Sequence, residues 1–341
     1  MPSTESLYPL LFEPALKDYI WGGRNLESKL NRKLPPQTNI AESWEIAAHP
    51  DGESTVINGR YSGMTLSALH EQLGLDLIGV NAAWAQRRSK FPLLIKLLDA
   101  NNPLSVQVHP NDAYASRFEG NELGKSEMWV VLHAEPGAEI ILGVKQDTNR
   151  DVFRLAIDAG VLEPLLHRID VRTGDVVCVP AGSLHAIGAG LLIAEIQQNS
   201  NTTYRVYDWK RVGSDGTPRQ LHVARALDVI NFDQAEPVLS IPQLSWRQDG
   251  ICAYLLCQND YFITERLEFA PGTTYRGYNN GESMEIWGII EGDATIEGGG
   301  LAVNIYQVRF VLLPAAMGRF TVRARSSAQF LRTTLPPSLP E

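Results

Sequence analysis

Along residues 103–112, PLSVQVHPND, apolar and polar side chains alternate: Val106 and Val108 fall on one side, Ser105, Gln107 and His109 on the other. A period of two marks a β-strand with two different faces, and Pro110 ends it. Gln and His are not the Lys and Glu usually turned to water. The polar face is therefore read as looking into a polar cavity, where Gln107 and His109, two residues apart, converge on one point. The same rule predicts short strands parted by Gly, Pro, Asn and Asp at 42–47, 92–98, 104–109, 127–133, 138–143, 175–179, 192–198 and 204–207, with several more between 252 and 333. Helical patterning is confined to 64–74, 111–118, 149–159 and 218–231, the last with Thr217 as N-cap and Pro218 at the first helical position. Many short strands with few helices predict an all-β fold of barrels or sandwiches.

The Pro-bearing stretch FDQAEPVLSIPQLSW (232–246) has no clear period and suggests a boundary, giving an expected division into 1–236 and 237–341. Beyond it, EIWGIIEGDATIEGGG predicts a strand, a turn around Glu291-Gly292-Asp293 and a returning strand. Glycines 298–300 are expected to form a hairpin turn rather than a phosphate loop, because no helix follows them.

A chain of 341 residues is long enough for two ordinary domains, and 44% hydrophobic with 20% charged residues is a globular composition. Thirty Lys and Arg against 39 Asp and Glu leave a net charge of −9. That balance argues against nucleic acid or an acidic membrane surface as partner, since both need clustered positive charge; a small anion held by a few local cations stays open. The start, MPSTESLYPLLFEP, lacks the basic region and long apolar run of a signal peptide, and no segment is long and apolar enough to span a bilayer. An odd set of cysteines, Cys178, Cys252 and Cys257, suggests a reduced, cytoplasmic setting, with Cys178 a small buried hydrophobe.

Two further residues join Gln107 and His109. Glu127, in GKSEMWVVLHAEPGAE, enters a strongly apolar strand, a departure from pattern of the kind that gathers at functional sites. His185, in GDVVCVPAGSLHAI, follows a strand and a Pro180-x-Gly182 turn. Two His, one Glu and one Gln make a four-ligand set for a divalent metal of the zinc kind. Singly, each has a plainer reading: a satisfied strand residue for Gln107 or His109, a strand-entry carboxylate for Glu127, a turn histidine for His185.

GDVVCVPAGSLH fits the second cupin motif, G-x5-P-x-G-x2-H, at Gly174, Pro180, Gly182 and His185. More closely, FPLLIKLLDANNPLSVQVHPND, GKSEMW, VPAGSLHAIGAGLLIAEIQQNSNTTYRVYDW and RQLHVARALDVI, in this order over residues 8–231, resemble the type I mannose-6-phosphate isomerases. The resemblance implies two cupin jelly-roll barrels and a zinc-dependent interconversion of mannose 6-phosphate and fructose 6-phosphate in the cytoplasm. It implies one zinc per chain, in the N-terminal cupin, on Gln107, His109, Glu127 and His185. Arg205 matches the active-site arginine, and Lys96 and Lys125 match lysines lining the substrate pocket. Arg205 and Lys125 are thus the expected catalytic groups, and Lys96, Arg205 and Lys125 the expected substrate-binding ones. The partner implied is a hexose 6-phosphate, with no nucleic acid and no membrane; monomer and weak dimer both stay open. Two departures stand out: 57 residues (185 − 127 − 1) separate Glu127 from His185, so the helical insertion of larger members is missing, and Ser126 replaces a common Pro. The second half resembles a cupin that has lost its site: Glu285 and Pro314 echo the two motifs, but no His follows His222.

The chemistry suits these residues. Aldose–ketose isomerisation builds negative charge on a substrate oxygen, and a cation with one anionic and three neutral ligands keeps net positive charge to meet it. Three His and one Glu would instead suit a redox iron cupin. Rival readings are kept: Arg205 as a cation stacked on Tyr204 and Tyr207, Lys96 as a snorkelling surface lysine, Lys125 as an exposed loop charge. His49, Trp21 and Trp44 are assigned to packing and turns, with Trp21-Gly22-Gly23 approaching the pocket, and His70, His133, His167 and His222 to structure or surface. The functional rivals are a non-catalytic sugar-phosphate-binding regulatory cupin and another sugar isomerase or epimerase.

Overall fold

The computed structural model describes residues 6–212, 216–306 and 308–337. The architecture is all-β and cupin-like, with short helices. Two compact units are present, and they interleave along the chain: residues 1–15, 44–95 and 241–341 form one, residues 16–43 and 96–240 the other. This differs from the linear division at 236/237. In the first unit, strand Leu10–Glu13 pairs antiparallel with Arg309–Leu313, Leu10 facing Leu312, and with Thr55–Val56. Pairing over so long a separation leaves no local mark in composition.

The unit of residues 16–43 and 96–240 contains the sequence motifs. A five-stranded antiparallel sheet runs in the order Leu166–Asp170, Glu139–Val144, His185–Ile187, Val106–Val108, Tyr204–Tyr207. A second sheet runs in the order Val176–Val179, Glu127–Ala134, Leu191–Gln198, Leu93–Ala100, Glu42–Ile46, Ala15–Lys17, of which residues 96–100, 42–43 and 16–17 belong to this unit. Between them lies an apolar core that includes Leu98, Trp129, Val131, Ile140, Leu142, Val177, Val179, Ile187 and Ile193. A second core covers the other face of the five-stranded sheet: Val106, Val108, Ile141, Ala186, Tyr204 and Val206 pack with Phe153 and Ala156 of helix Arg150–Asp158 and Ala226 and Leu227 of helix Val223–Val229. The valines of SVQVH thus bury under helices, which leaves the Gln and His face to the barrel interior. Val177 and Val179 point inward, so Cys178 between them faces the other side; it is half-buried and disulfide-bonded, against the expectation of a reduced, buried thiol.

Helix 149–159 forms as Arg150–Asp158, capped by Asn149, whose side chain accepts from the N–H groups of Asp151 and Val152. The helix expected from 218 begins only at Val223, after His222. Residues 219–222 are held otherwise: His222 N–H donates to the Arg205 carbonyl at 2.7 Å and the Arg219 guanidinium to Asp208.

In the other unit, an eight-stranded sheet runs from Gln243–Gln248 to Thr55–Val56, and a four-stranded sheet joins Thr274–Asn279, Gly318–Ala324, Asp293–Gly298 and Leu301–Tyr306. Gly299 and Gly300, at φ 57° and 79°, make the two-residue turn joining the last two, with Gly298 opposite Leu301. A Cβ on Gly299 would meet the Leu7 carbonyl at 1.7 Å. The turn at Gly292 is not a hairpin. Strand Glu285–Glu291 pairs with Arg309–Leu313 and Ala328–Thr334, whereas Asp293–Gly298 joins the other sheet, so Gly292 at φ 80° passes the chain between sheets. Here Arg332 donates to Glu285 from Nε and Nη2 at 2.8 and 2.7 Å and to Glu265 from Nη1 at 3.2 Å, over the rings of Trp287 and Tyr275.

No helix among the described residues is long and apolar enough to cross a membrane.

Arg332→Met strands two carboxylates that are largely out of water, and breaking a buried pair this way costs about 3 kcal/mol. The expected result is a lower urea midpoint by fluorescence, part of it recovered when Glu285→Gln is added; a single variant as stable as its parent would show that the guanidinium carries no stabilising charge.

Candidate metal centre and active site

Register brings the site together. Within the five-stranded sheet, Gln107 lies opposite His185 on one neighbouring strand and opposite Arg205 on the other. Directly opposed residues share a face, so His185, Gln107 and Arg205 form one row across the sheet, with His109 two residues on from Gln107. From the facing sheet, Glu127 begins its strand opposite Val179 and Gln197, and Trp129 lies opposite Glu195. Two loops tie these residues in place. Gly182 N–H donates to the His109 carbonyl at 2.9 Å, and Gly182 sits at φ 90°, where an added Cβ would meet the Val229 carbonyl at 2.9 Å. Ser126 donates its N–H to Gln198 Oε1 at 2.9 Å and accepts from Ala181 N–H at 3.2 Å. The serine Oγ therefore links the strand of Glu127 to the turn before His185, while its N–H, which proline lacks, is held by Gln198.

The donor atoms of His109, Glu127 and His185 all lie within 4.8 Å of one another, and all three residues are buried. His109 Nδ1 donates to the Thr202 carbonyl at 2.8 Å and His185 Nδ1 to the Ser183 carbonyl at 2.9 Å. A carbonyl can only accept, so each proton sits on Nδ1 and each Nε2 lone pair turns toward Glu127. Burial lowers both imidazoles, His109 well below its ordinary value and His185 to about 4, so both stand neutral, the form able to hold a metal ion. His185 Nε2 is 3.4 Å from Glu127 Oε1, and His109 Nε2 is 3.7 Å from Glu127 Oε2. Tetrahedral donors at zinc-like bond lengths stand about 3.4 Å apart, so the spacing fits. The Gln107 amide Nε2 lies 3.4 Å from His185 Nε2, at the edge of this group.

Charge makes the same point. Burial pushes the Glu127 carboxyl up to about 7, against the opposing charge of Lys125. Lys125 Nζ lies 2.7 Å from Glu127 Oε2 and 3.0 Å from His109 Nε2, yet Oε2 receives no hydrogen bond of good angle and is held by charge alone. A buried oxygen in that condition, beside two inward imidazole nitrogens, is suited to a divalent cation.

Behind this centre runs a second charged chain. The Trp129 indole N–H is shared between Glu127 Oε1 and Glu195 Oε1, each at 3.1 Å. Glu195 Oε2 stands 3.3 Å from Lys96 Nζ, which is also 3.5 Å from Glu42 Oε2. Lys96 is buried, which removes the snorkelling reading; burial is the largest single influence on its pKa and lowers it, but Glu42, Glu195 and Glu127 together outweigh burial and raise it. Lys125 is buried too, not an exposed loop charge.

A cavity of about 290 Å³ opens over the site, reached by Lys96, Gln107, Lys125, Glu195, Arg205 and Arg219 among others, with Trp21 and His222 in its wall. Arg205 Nε donates to Ser105 Oγ at 3.2 Å and Nη1 to the Gln220 carbonyl at 3.0 Å; the cation facing Tyr204 is Arg225 instead. Glu42, Glu195 and Arg219 were not singled out from sequence, and His222, assigned there to structure or surface, lines the cavity. Glu195 carried a usable signal: a carboxylate inside the apolar run LLIAEIQQ repeats the anomaly of Glu127.

Fold and donor set together define a cupin with a buried His–Glu–His group able to hold a metal ion. A family model for the phosphomannose isomerase type I catalytic domain matches residues 10–128. The mannose-6-phosphate isomerase of Streptococcus mutans is 45% identical over 263 residues, 77% of this chain and 79% of that protein. The Bacillus subtilis mannose-6-phosphate isomerase ManA is 36% identical over 319 residues, 92% of this chain and 95% of that protein. A crystal structure of mannose 6-phosphate isomerase from Bacillus subtilis matches with TM-score 0.85 at 34% identity, covering 96% of this chain and 99% of that one. The chain belongs to the type I phosphomannose isomerase family.

Trp129→Phe keeps the ring and removes the N–H that orients Glu127. Loss of such a supporting bond costs roughly tenfold in metal affinity, measurable by competition with a chelating dye; an unchanged affinity would mean that Glu127 is held without the indole.

Proposed function

We propose that the protein is a mannose-6-phosphate isomerase that interconverts mannose 6-phosphate and fructose 6-phosphate in the cytoplasm, with zinc held by Gln107, His109, Glu127 and His185. The convergence of His109, Glu127 and His185 within 4.8 Å, in a chain so similar to named isomerases, carries this reading. A bound zinc ion supplies a Lewis acid for the substrate oxygen on which charge develops.

The chain's own groups do the rest. Isomerisation removes a proton from the carbon beside the carbonyl and returns it one carbon away, so a group at the cavity floor must hold and release that proton. Lys125 is placed there, its Nζ on Glu127 Oε2 and His109 Nε2. Arg205, in the row with Gln107 and His185, supplies a fixed positive charge beside the ligands and keeps it across the working pH range. Lys96 supports the site through Glu42 and Glu195, both of which it already pairs. Burial of Lys96, Lys125, Glu127 and Glu195 strengthens each of these charges. Residues 237–341 are assigned a structural role: their Glu285 is already matched by Arg332.

Turnover of mannose 6-phosphate, followed through a coupled fructose 6-phosphate assay, is expected to fall on chelation and return with zinc. No turnover with metal restored would end the isomerase reading, and binding of the sugar phosphate without turnover would favour the regulatory cupin.

His185→Ala is expected to lower metal content and activity together. Arg205→Ala should leave metal content intact while lowering kcat about 100-fold, the scale of one lost charge-stabilising donor; unchanged turnover would return Arg205 to packing.

A further inference from the structure

A second cavity, of about 250 Å³, lies within the unit of residues 16–43 and 96–240. Strand register sets its place. Arg168 lies opposite Ile141, and Ile141 opposite Ala186, so the three form a row on one face of the five-stranded sheet. Ala186 follows His185 along its strand, so this row faces away from the His185 side chain. All three residues line the cavity together with Glu139 and Trp209, and Ile187 is common to the walls of this cavity and the catalytic one. The wall residue Trp209 is held at a cost. Trp209 and Lys210 take φ of 55° and 56° in succession, the left-handed region, and neither is glycine. Two bonds keep the chain there: the indole N–H donates to the Leu104 carbonyl and Arg211 Nη1 to the Pro103 carbonyl, each at 2.6 Å. Strain of this kind persists only where the surroundings over-determine it, and it gathers at ligand sites.

The polar groups of this cavity stand on one side of it. Arg168, its guanidinium 5.8 Å from the Trp209 ring centre, donates from Nη1 to Glu139 Oε1 and from Nη2 to Glu163 Oε2 at 3.4 Å. Glu163 Oε1 accepts from the Tyr207 hydroxyl at 2.9 Å. Glu139 Oε2 and Arg168 Nε are left without a protein partner. Arg168 is exposed and Glu139 half-buried, so this rim meets solvent, whereas Ile141, Ala186 and Ile187 are buried. An apolar wall with a few convergent polar groups is the usual make-up of a small-molecule site. One guanidinium against two carboxylates leaves an excess negative charge, which repels a phosphate. The volume is close to the 290 Å³ of the catalytic cavity, so the two admit molecules of similar size.

We propose that this cavity binds an uncharged hexose, at a site separate from the catalytic cavity. A pyranose is amphipathic: its C–H groups form an apolar face suited to the indole and the isoleucines, and its hydroxyls suit Glu139 Oε2 as acceptor and Arg168 Nε as donor. Charge then divides the two cavities. The excess carboxylate of this rim favours the free sugar over its phosphate ester, the reverse of a cavity walled by Arg205 and Arg219. The inference does not depend on the isomerase reading, because none of Glu139, Arg168 and Trp209 has a part in the proposed chemistry.

Saturation-transfer difference NMR on the zinc-loaded full chain, with D-mannose as probe, tests it. The wild type is expected to transfer saturation to D-mannose at millimolar concentration, and an excess of mannose 6-phosphate is expected not to reduce the signal. Ala189→Trp, at an exposed lining position, fills the mouth and is expected to abolish the transfer. Arg168→Met, a second and independent surface substitution, is expected to weaken D-mannose binding about 10-fold, the scale of one hydrogen bond to a charged group. Both variants should keep the wild-type turnover of mannose 6-phosphate. No transfer in the wild type, displacement of D-mannose by mannose 6-phosphate, or wild-type binding in both variants would overturn the site. A wild type inactive on mannose 6-phosphate that shows the expected D-mannose pattern would uphold the site and end the isomerase reading.

Discussion

A carboxylate taken into an apolar barrel must be matched by positive charge or take up a proton. The site contains Glu42, Glu127 and Glu195 against Lys96 and Lys125, all buried, one negative charge in excess. Lys96 is shared by Glu42 and Glu195, and Lys125 serves Glu127. The excess falls on Glu127, whose carboxyl burial raises and whose Oε2 lacks a directional bond. A divalent cation turns the cluster from −1 to +1 and leaves a site that attracts a developing oxyanion. Metal binding, ionisation of Glu127 and electrophilic character are therefore one constraint seen three ways.

The two units hold their carboxylates by the same local device and neutralise them differently. In Glu127-x-Trp129 the indole donates to the carboxylate two residues earlier at 3.1 Å; in Glu285-x-Trp287 it does so at 2.8 Å. At Glu285 the cation is Arg332, permanently attached and bonded through both edges of its fork. At Glu127 the attached cation is a lysine with rotatable donors, and two neutral imidazoles face the same point. An arginine saturates its carboxylate and closes the position to other ions, whereas a lysine with imidazoles keeps it open.

Period-two patterning identified the eight named strands of residues 42–207 to within a few residues, because each carries an apolar face against one of the cores or, for 42–47, against Leu94 through Trp44 and Ala47. The residues of the candidate centre carried signals as well: Gln107 and His109 are not the Lys and Glu usual on a polar strand face, and Glu127 enters an apolar strand. The arrangement of Arg205 beside Gln107 depends on register between strands far apart in sequence, which no local pattern encodes. Residues 218–222 misled for a related reason. Thr217-Pro218 is a sound helix start, but His222 and Arg219 find stronger partners in Arg205 and Asp208, so tertiary bonds override the local preference. The same limit hid the interleaved units, since Leu10 and Leu312 meet only in the folded chain.

Commitment of the lysines has a consequence for how a sugar phosphate lies in the cavity. If both lysines were free, positive charge would surround the cavity and a dianion could enter either way round. Instead Lys96 and Lys125 are matched by Glu42, Glu195 and Glu127, and the uncompensated charge lies with Arg205 and Arg219. Without a bound cation the field then has a direction, from an arginine pole toward a floor lined with carboxylates. A divalent cation reverses the sign of that floor, so a site that turns anions away when empty accepts a developing oxyanion when loaded, and anion binding at the floor is coupled to metal binding.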